Sequence, residues 1–284
     1  MRSVKFLVAA GAASLLSSAA FAADMPSIMP PPPVSYAPPP VEDFGGWYLR
    51  GDIGMTNSSA KLDDNLFHTL PAGSTLTHQG EGFTGGMSYG LGVGYQFNSW
   101  FRADVTGEYR SRVAFSGTDF ATFQGGSALS DVYQGGYTSW VGLVNAYVDL
   151  GTWWCLTPFI GAGVGAAHIS TTGLQDSGMT FVPGLGSGSP SSFFANGAST
   201  TNFAWAAHAG VAYKVNNNFT VELAYRYLDM GTAVHGFGQS FDGSNAGPSS
   251  FTFRDLTSQD VRLGVRWTCC DVEPPPPPPL IRKG

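Results

Sequence analysis

Phe101-Arg102-Ala103-Asp104-Val105-Thr106-Gly107-Glu108-Tyr109-Arg110 alternates without a break. Phe101, Ala103, Val105, Gly107 and Tyr109 fall on one side of an extended chain, and Arg102, Asp104, Thr106, Glu108 and Arg110 fall on the other. Successive side chains of a strand point to opposite faces, so a period of two separates an apolar face from a charged one. The pattern recurs on both sides of this stretch. Trp47 to Met55, Met87 to Phe97, Trp140 to Leu150, Pro158 to His168, Phe203 to Val215, Phe219 to Leu228 and Asp260 to Trp267 each show it. The sequence therefore predicts eight strands, each with one apolar face.

The connections alternate in length. Those through Asn98-Ser99-Trp100, Gly151-Thr152 and Asn216-Asn217-Asn218 are short, whereas 56–86, 111–139, 169–202 and 229–258 are long and rich in Gly, Ser, Thr and Asn. An up-and-down transmembrane barrel has this rhythm, with short periplasmic turns and long external loops. The expected fold is an all-β, eight-stranded antiparallel up-and-down transmembrane β-barrel with four long external loops and proline-rich periplasmic tails. Composition agrees: the 284 residues are 12% charged and include 38 Gly and 20 Phe, which is unlike a soluble helical domain. The formal net charge of −6 disfavours nucleic acid as a partner, because phosphate binding needs a basic stripe.

A soluble sandwich also alternates, so the location of the charges decides between the two. None falls on an apolar strand face. The polar faces carry seven basic residues, Arg50, Arg102, Arg110, Lys214, Arg226, Arg262 and Arg266. They also carry six acidic ones, Asp52, Asp104, Glu108, Asp149, Glu222 and Asp260. Near-balance suits a closed, low-dielectric lumen, in which unpaired charges are costly. Aromatic residues gather at strand ends: Trp47, Phe97, Phe101, Tyr213, Phe219 and Trp267 at one rim, and Tyr89, Tyr109, Trp140, Trp205, Tyr225 and Tyr227 towards the other. Two such girdles match the two interfaces of a bilayer.

The segments outside the strands read as processing and tethering elements. Arg2 and Lys5 precede an apolar stretch from Phe6 to Ala20 and the small-residue site Ala20-Phe21-Ala22, the pattern of a secretory signal. The domain reading is a signal peptide over 1–22, a proline-rich periplasmic segment over 23–45, the outer-membrane barrel over 46–268 and a Cys-Cys, proline-rich periplasmic tail over 269–284. Runs such as Pro274 to Pro279 favour extended polyproline II conformations. Export places Cys155, Cys269 and Cys270 in an oxidising compartment, where a disulfide from Cys155 to one of the adjacent pair, or pairing between chains, is open.

Gly46-Trp47-Tyr48-Leu49-Arg50-Gly51-Asp52-Ile53-Gly54, Leu156 to Gly165 and Asp260-Val261-Arg262-Leu263-Gly264-Val265-Arg266-Trp267, together with the signal and Pro-rich start, resemble the opacity-type, "porin family" outer-membrane surface proteins of alpha-proteobacteria. The resemblance covers the barrel and implies an outer-membrane location and insertion by the barrel-assembly machinery. Such chains usually end on the last strand with an aromatic residue, whereas here Thr268-Cys269-Cys270 and the proline tail follow Trp267.

The search for chemistry gives little beyond the lumen. Gly90-x-Gly92-x-Gly94 and Gly161-x-Gly163-x-Gly165 lie inside strands with no helix following, so they read as small inward positions and not as phosphate loops. His68, His78 and His235 fall in external loops, where haem or metal capture is conceivable, but no HxH or HExxH spacing occurs. His208 faces the lumen. No compact nucleophile, base and acid set is present, so the reading is of no enzyme, no catalytic residue, no metal and no cofactor. The candidate site is a lumen charge network of Arg50, Asp52, Arg102, Asp104, Glu108, Arg110, Glu222, Arg226, Asp260, Arg262 and Arg266, with Arg102 or Arg226 paired to Asp104 or Glu222. The functional expectation is a structural, surface-exposed barrel supporting envelope integrity and surface interactions. A small-solute porin is the alternative, followed by a haem-binding receptor and a lipid-modifying barrel enzyme. Expected partners are outer-membrane lipid and lipopolysaccharide, with peptidoglycan or periplasmic contacts through the tails.

Overall fold

The computed structural model describes residues 45–63, 71–185, 188–243, 246–248 and 251–269. The expected signal peptide, both proline-rich tails, His68 and Cys270 lie outside these residues.

Eight long strands carry the predicted alternation: β1 (Gly46–Asp63), β3 (Gly86–Gln96), β4 (Phe101–Thr122), β5 (Ala128–Asp149), β6 (Leu156–Thr171), β9 (Ser199–Lys214), β10 (Phe219–Asp229) and β14 (Thr252–Thr268). They pair antiparallel in the order β5, β6, β9, β10, β14, β1, β3, β4, and β4 pairs back onto β5. The ring is closed. β1 meets β14 with Tyr48 opposite Thr268, so the first and last strands form the seam. Closure leaves no unpaired edge within the hydrocarbon layer, which a bilayer requires of any sheet that crosses it.

The faces follow the period. Leu91, Val105, Val144, Ile160, Val164, Leu223, Val261 and Leu263 are each half exposed or more on the outside, where only lipid can satisfy them. Trp47, Phe97, Tyr213, Phe219 and Trp267 ring one end, and Tyr89, Tyr109, Trp140, Trp205 and Tyr225 ring the other. Cross-strand pairing keeps these rims together, with Trp47 opposite Tyr95, Phe219 opposite Trp267 and Tyr109 opposite Trp140. At the short-turn end one local device appears twice. Asn98 Oδ1 accepts the N–H groups of Trp100 and Phe101, and Asn216 Oδ1 accepts those of Asn218 and Phe219, so each asparagine closes its own turn.

The interior glycines accommodate large neighbours. A Cβ on Gly94 would meet the Tyr48 ring, and one on Gly161 the Tyr147 ring, so these tyrosines lie flat across the glycine of the adjacent strand.

The long-loop end departs from expectation. In place of four irregular loops, β4 and β5 run on together past the outer girdle to Thr122 and Ala128, about 40 Å along the strand. Shorter strands add to them and to β14: β2 (Thr75–Phe83) on β4, β7 (Leu174–Phe181) on β5, β8 (Ser189–Ala195) on β7, β12 (Phe237–Ser240) on β8, β13 (Gly247–Pro248) on β12 and β11 (Ala233–Val234) on β14. The described residues thus contain fourteen strands, eight in the barrel and six in an outer sheet. The physical reason is visible in 113–121. Val113, Phe115, Gly117, Asp119 and Ala121 continue the alternation, buried against Arg112, Ser116 and Phe120 outside. An extended backbone beyond the membrane needs partners for its own N–H and C=O groups, and the neighbouring hairpins supply them.

Candidate functional site

Arg102 organises the short-turn end of the lumen. Its guanidinium stacks on the rings of Tyr147 and Phe159 at 4.4 and 4.7 Å, its Nε lies 3.2 Å from Asp149 and its Nη1 3.1 Å from Glu222. Glu222 also faces Arg266 at 3.6 Å and Arg50 at 3.7 Å. In the middle, Arg50 donates to Asp104 and to the Tyr147 hydroxyl, both at 2.9 Å. Asp104 is further held by the Tyr48 hydroxyl at 3.1 Å and by Asn145 Nδ2 at 2.8 Å. Arg262 joins Asp52 to Glu108. Towards the outer end, Glu108 takes Arg226 at 2.6 Å and Arg110 at 3.0 Å, and Asp260 takes Arg226 at 2.6 Å and Arg110 at 2.9 Å.

These contacts form one continuous chain of opposite charges from Asp149 to Asp260. Eight strands leave an interior just wide enough for side chains, so any long polar residue reaches across to the far wall. Every one of the eleven residues expected in the lumen network is inside, and Asp149 joins them. Lys214 does not: it sits exposed at the end of β9. The membrane-level lumen therefore holds six arginines and six carboxylates, a neutral set in place of the expected seven and six. Two pairings differ from expectation. Arg102 does meet Glu222, but Asp104 belongs to Arg50 and Arg226 to Glu108 and Asp260, because the shear of the barrel sets which residues face each other across it.

Above the charges the barrel is filled by apolar side chains. Leu228, Met230, Ile169, Val113 and Tyr137 are buried at its mouth, followed by Phe115, Phe251, Phe253 and Tyr133. Phe115 meets Phe253 edge-on at 4.4 Å, and Phe83 packs on both. His235 is buried in this cluster, 5.6 Å from Phe253 and 6.4 Å from Phe115, and burial pulls its imidazole below the ordinary histidine range. It packs there as a neutral ring.

His78 lies elsewhere, on the outer sheet. Its Nδ1 is 2.7 Å from Asp119 and 3.3 Å from Glu81, whose carboxylate also accepts the Tyr133 hydroxyl at 2.8 Å. The register of β2 against β4 slips between Gln79 and Gly82, with Gly80 at φ +64°, and this brings His78 and Glu81 to one side. The three side chains offer ligand atoms within 4.8 Å of one another. Asp131 stands opposite Asp119 in the β4–β5 register, and burial, then the Asp119 charge, push its carboxyl up to about 6. The convergence of loop histidines that haem capture needs is absent among the described residues: His78 is in an acidic cluster and His235 in an aromatic one.

Cys155 and Cys269 are both unbonded, the first exposed. The structure holds no bridge between Cys155 and Cys269, and any pairing of Cys270 lies outside the described residues.

The outer aromatic cap was missed by the sequence reading, whereas Tyr48, Asn145 and Tyr147, the neutral members of the lumen set, fall on the polar strand faces but outside the expected charge network. The cap's signal was the same period of two. It continues from Val113 onwards with its phase displaced by one residue, so a strand judged to end at Arg110 hides it.

A closed antiparallel ring with an apolar exterior, aromatic rims and a neutralised charged interior is a membrane-spanning β-barrel, and its place is the outer membrane. The chain belongs to the outer membrane protein beta-barrel domain family, whose profile matches residues 8–268. It is 33% identical over 279 residues to an uncharacterised protein of Brucella abortus, covering 88% of this chain and 93% of the relative. It is 31% identical over 198 residues to the outer membrane protein PagN of Salmonella typhimurium, covering 66% and 75% respectively. A putative adhesin of Rickettsia bellii is 27% identical over 232 residues, covering 81% and 85%. Among solved structures, Neisserial surface protein A matches with a TM-score of 0.39 at 17% identity, over 78% of this chain and 96% of that one.

Proposed function

We propose that the protein is a non-conducting surface barrel that anchors a rigid β-sheet platform at the cell exterior for contact with other surfaces. The observation that carries this reading is closure at two levels, by the Asp149-to-Asp260 ion network and by the aromatic cap around Phe115 and Phe253. Solute conduction needs a continuous water column, and side chains fill the space it would occupy. What remains accessible is the outer sheet, built on the extension of β4 and β5. The names of two relatives, an outer membrane protein and a putative adhesin, lend support to a surface role. Outer-leaflet lipid is the partner of the barrel wall in this reading.

The test pairs a recording on the full chain refolded into lipid with an attachment assay on cells. Planar-bilayer recording is expected to show small or intermittent conductance, and steady ion-selective currents would overturn the sealed-barrel reading. Cells displaying the protein are expected to lose attachment to host surfaces when β7, β8 and β12 are deleted with the barrel retained. Unchanged attachment would overturn the platform reading.

A further inference from the structure

We propose that a polar groove on the outer wall, centred on Arg112, binds the phosphorylated saccharide headgroup of a glycolipid of the outer leaflet. The inference rests on the proposed orientation, in which the extended end of the barrel faces the cell exterior.

The starting observation is a bulge. Tyr109 points out and Arg110 points in, so regular alternation would send Ser111 out and Arg112 into the lumen. The pairing instead moves from Arg110 opposite Ser139 to Val113 opposite Tyr137, three residues on β4 against two on β5. The extra residue keeps Ser111 and Arg112 away from the interior, and Val113 resumes the buried phase. Bulges at barrel rims re-aim a side chain in this way. Here the consequence is electrostatic as well. A seventh arginine in the lumen would unbalance six pairs, whereas outside it is a free cation.

Arg112 makes no hydrogen bond or ion pair in the structure, in contrast to the six lumen arginines and to Lys61, which lies 2.8 Å from Asp255. Its side chain lines a groove of about 480 Å³ shared with Thr84, Ser116, Gln134 and Gln175. Ala114, Phe115, Gly135 and Gly173 complete its wall, and the Phe115 ring fills the space beside Gly135. The lining therefore combines one guanidinium, two carboxamides and two hydroxyls, the donors and acceptors that a phosphorylated sugar requires. A guanidinium grips phosphate through two parallel N–H bonds, and carboxamides match sugar hydroxyls as both donor and acceptor.

The level of the groove identifies the occupant. Tyr109 and Trp140, with ring centroids 5.0 Å apart and both exposed, mark the outer girdle on β4 and β5. Arg112 follows Tyr109 by three residues on the same strand, which at strand rise and barrel tilt places it roughly 7 Å beyond the girdle. That is headgroup depth. Thr84, Arg112, Ser116, Gln134 and Gln175 are exposed on the outer face of the sheet, with Phe115 of the aromatic cap completing the lining, so the groove opens towards the molecules of the outer leaflet.

The experiment refolds the full chain, and its Arg112→Gln, Arg112→Lys and Gln134→Ala variants, into phosphatidylcholine nanodiscs with or without lipopolysaccharide, and measures retained glycolipid by native mass spectrometry. Loss of a charge-assisted contact is expected to weaken retention by about tenfold or more in Arg112→Gln, with Arg112→Lys intermediate. Gln134→Ala is expected to lie between wild type and Arg112→Gln. Competition with inorganic phosphate separates the sources: displacement at millimolar phosphate would overturn the lipid assignment in favour of a free anion. Equal retention by wild type and Arg112→Gln would overturn the groove itself. Conductance of the same variants in planar bilayers and protease cleavage of the long-loop end on intact cells report the closure and orientation of the barrel independently, so a failure of the groove is distinguishable from a failure of the surface-barrel reading.

Discussion

Replacing Glu108 by Gln tests whether the lumen network seals and stabilises the barrel. Glu108 is buried and faces three guanidinium groups, Arg226 at 2.6 Å, Arg110 at 3.0 Å and Arg262 at 3.1 Å. At an effective dielectric of about 20, each contact is worth about 4 kcal/mol, so about 12 kcal/mol of gross attraction disappears with the charge. The substitution also removes the cost of desolvating the carboxylate, several kcal/mol. Part of the remainder is recovered because Asp260 and Asp52 still hold the three arginines. Truncation of buried pairs elsewhere leaves a net loss of about 3 to 5 kcal/mol, and that is the expected destabilisation. Urea unfolding of the chain in lipid vesicles, followed by tryptophan fluorescence, gives the value, and bilayer recording should show more frequent openings as the stranded arginines draw in water. Adding Arg226→Gln removes the surplus positive charge and should recover part of the lost stability. A midpoint unchanged from wild type, with conductance still closed, would refute the view that this network is the interior closure.

Three further outcomes follow from the same geometry. Leu263→Arg, at a half-exposed position midway along β14, should cost about 2 to 4 kcal/mol in vesicle unfolding, and a neutral result would mean that this face is not in lipid. Gly94→Ala drives a methyl into the Tyr48 ring and the Ala103 carbonyl and should cost about 1 to 3 kcal/mol, partly relieved by Tyr48→Ala; an additive double variant would disprove the contact. Asp131, with its carboxyl pushed up to about 6, binds a proton in the folded chain at pH values where the unfolded chain, near 3.9, has released it. Folding of the outer sheet should therefore lose stability as pH rises from about 4 to about 6 and level off above that. Limited proteolysis across this range should follow that profile in wild type and flatten in Asp131→Asn; a profile identical in both would assign the dependence to another group.

The local alternation of residues was enough to specify the eight crossings, their facing and their rims. Phe101 to Arg110 and Asp260 to Trp267 each display the lipid face and the lumen face within ten residues, because a strand's side-chain period is a property of the backbone alone. The same reasoning placed all eleven candidate lumen residues inside. It could not place Lys214, which has the right phase but is the last residue of β9, where its side chain is exposed. Nor could it assign Arg226 to Glu108 and Asp260, residues 118 and 34 positions away. Which side chains meet across a closed barrel depends on how far each strand is staggered against the next, and that is fixed only when the seam between β1 and β14 closes. The outer sheet shows the complementary limit. One inserted residue between Arg110 and Val113 reverses the phase of everything beyond it, so an alternation that is complete in the sequence reads as a loop until the pairing with β5 shows where the slip occurs.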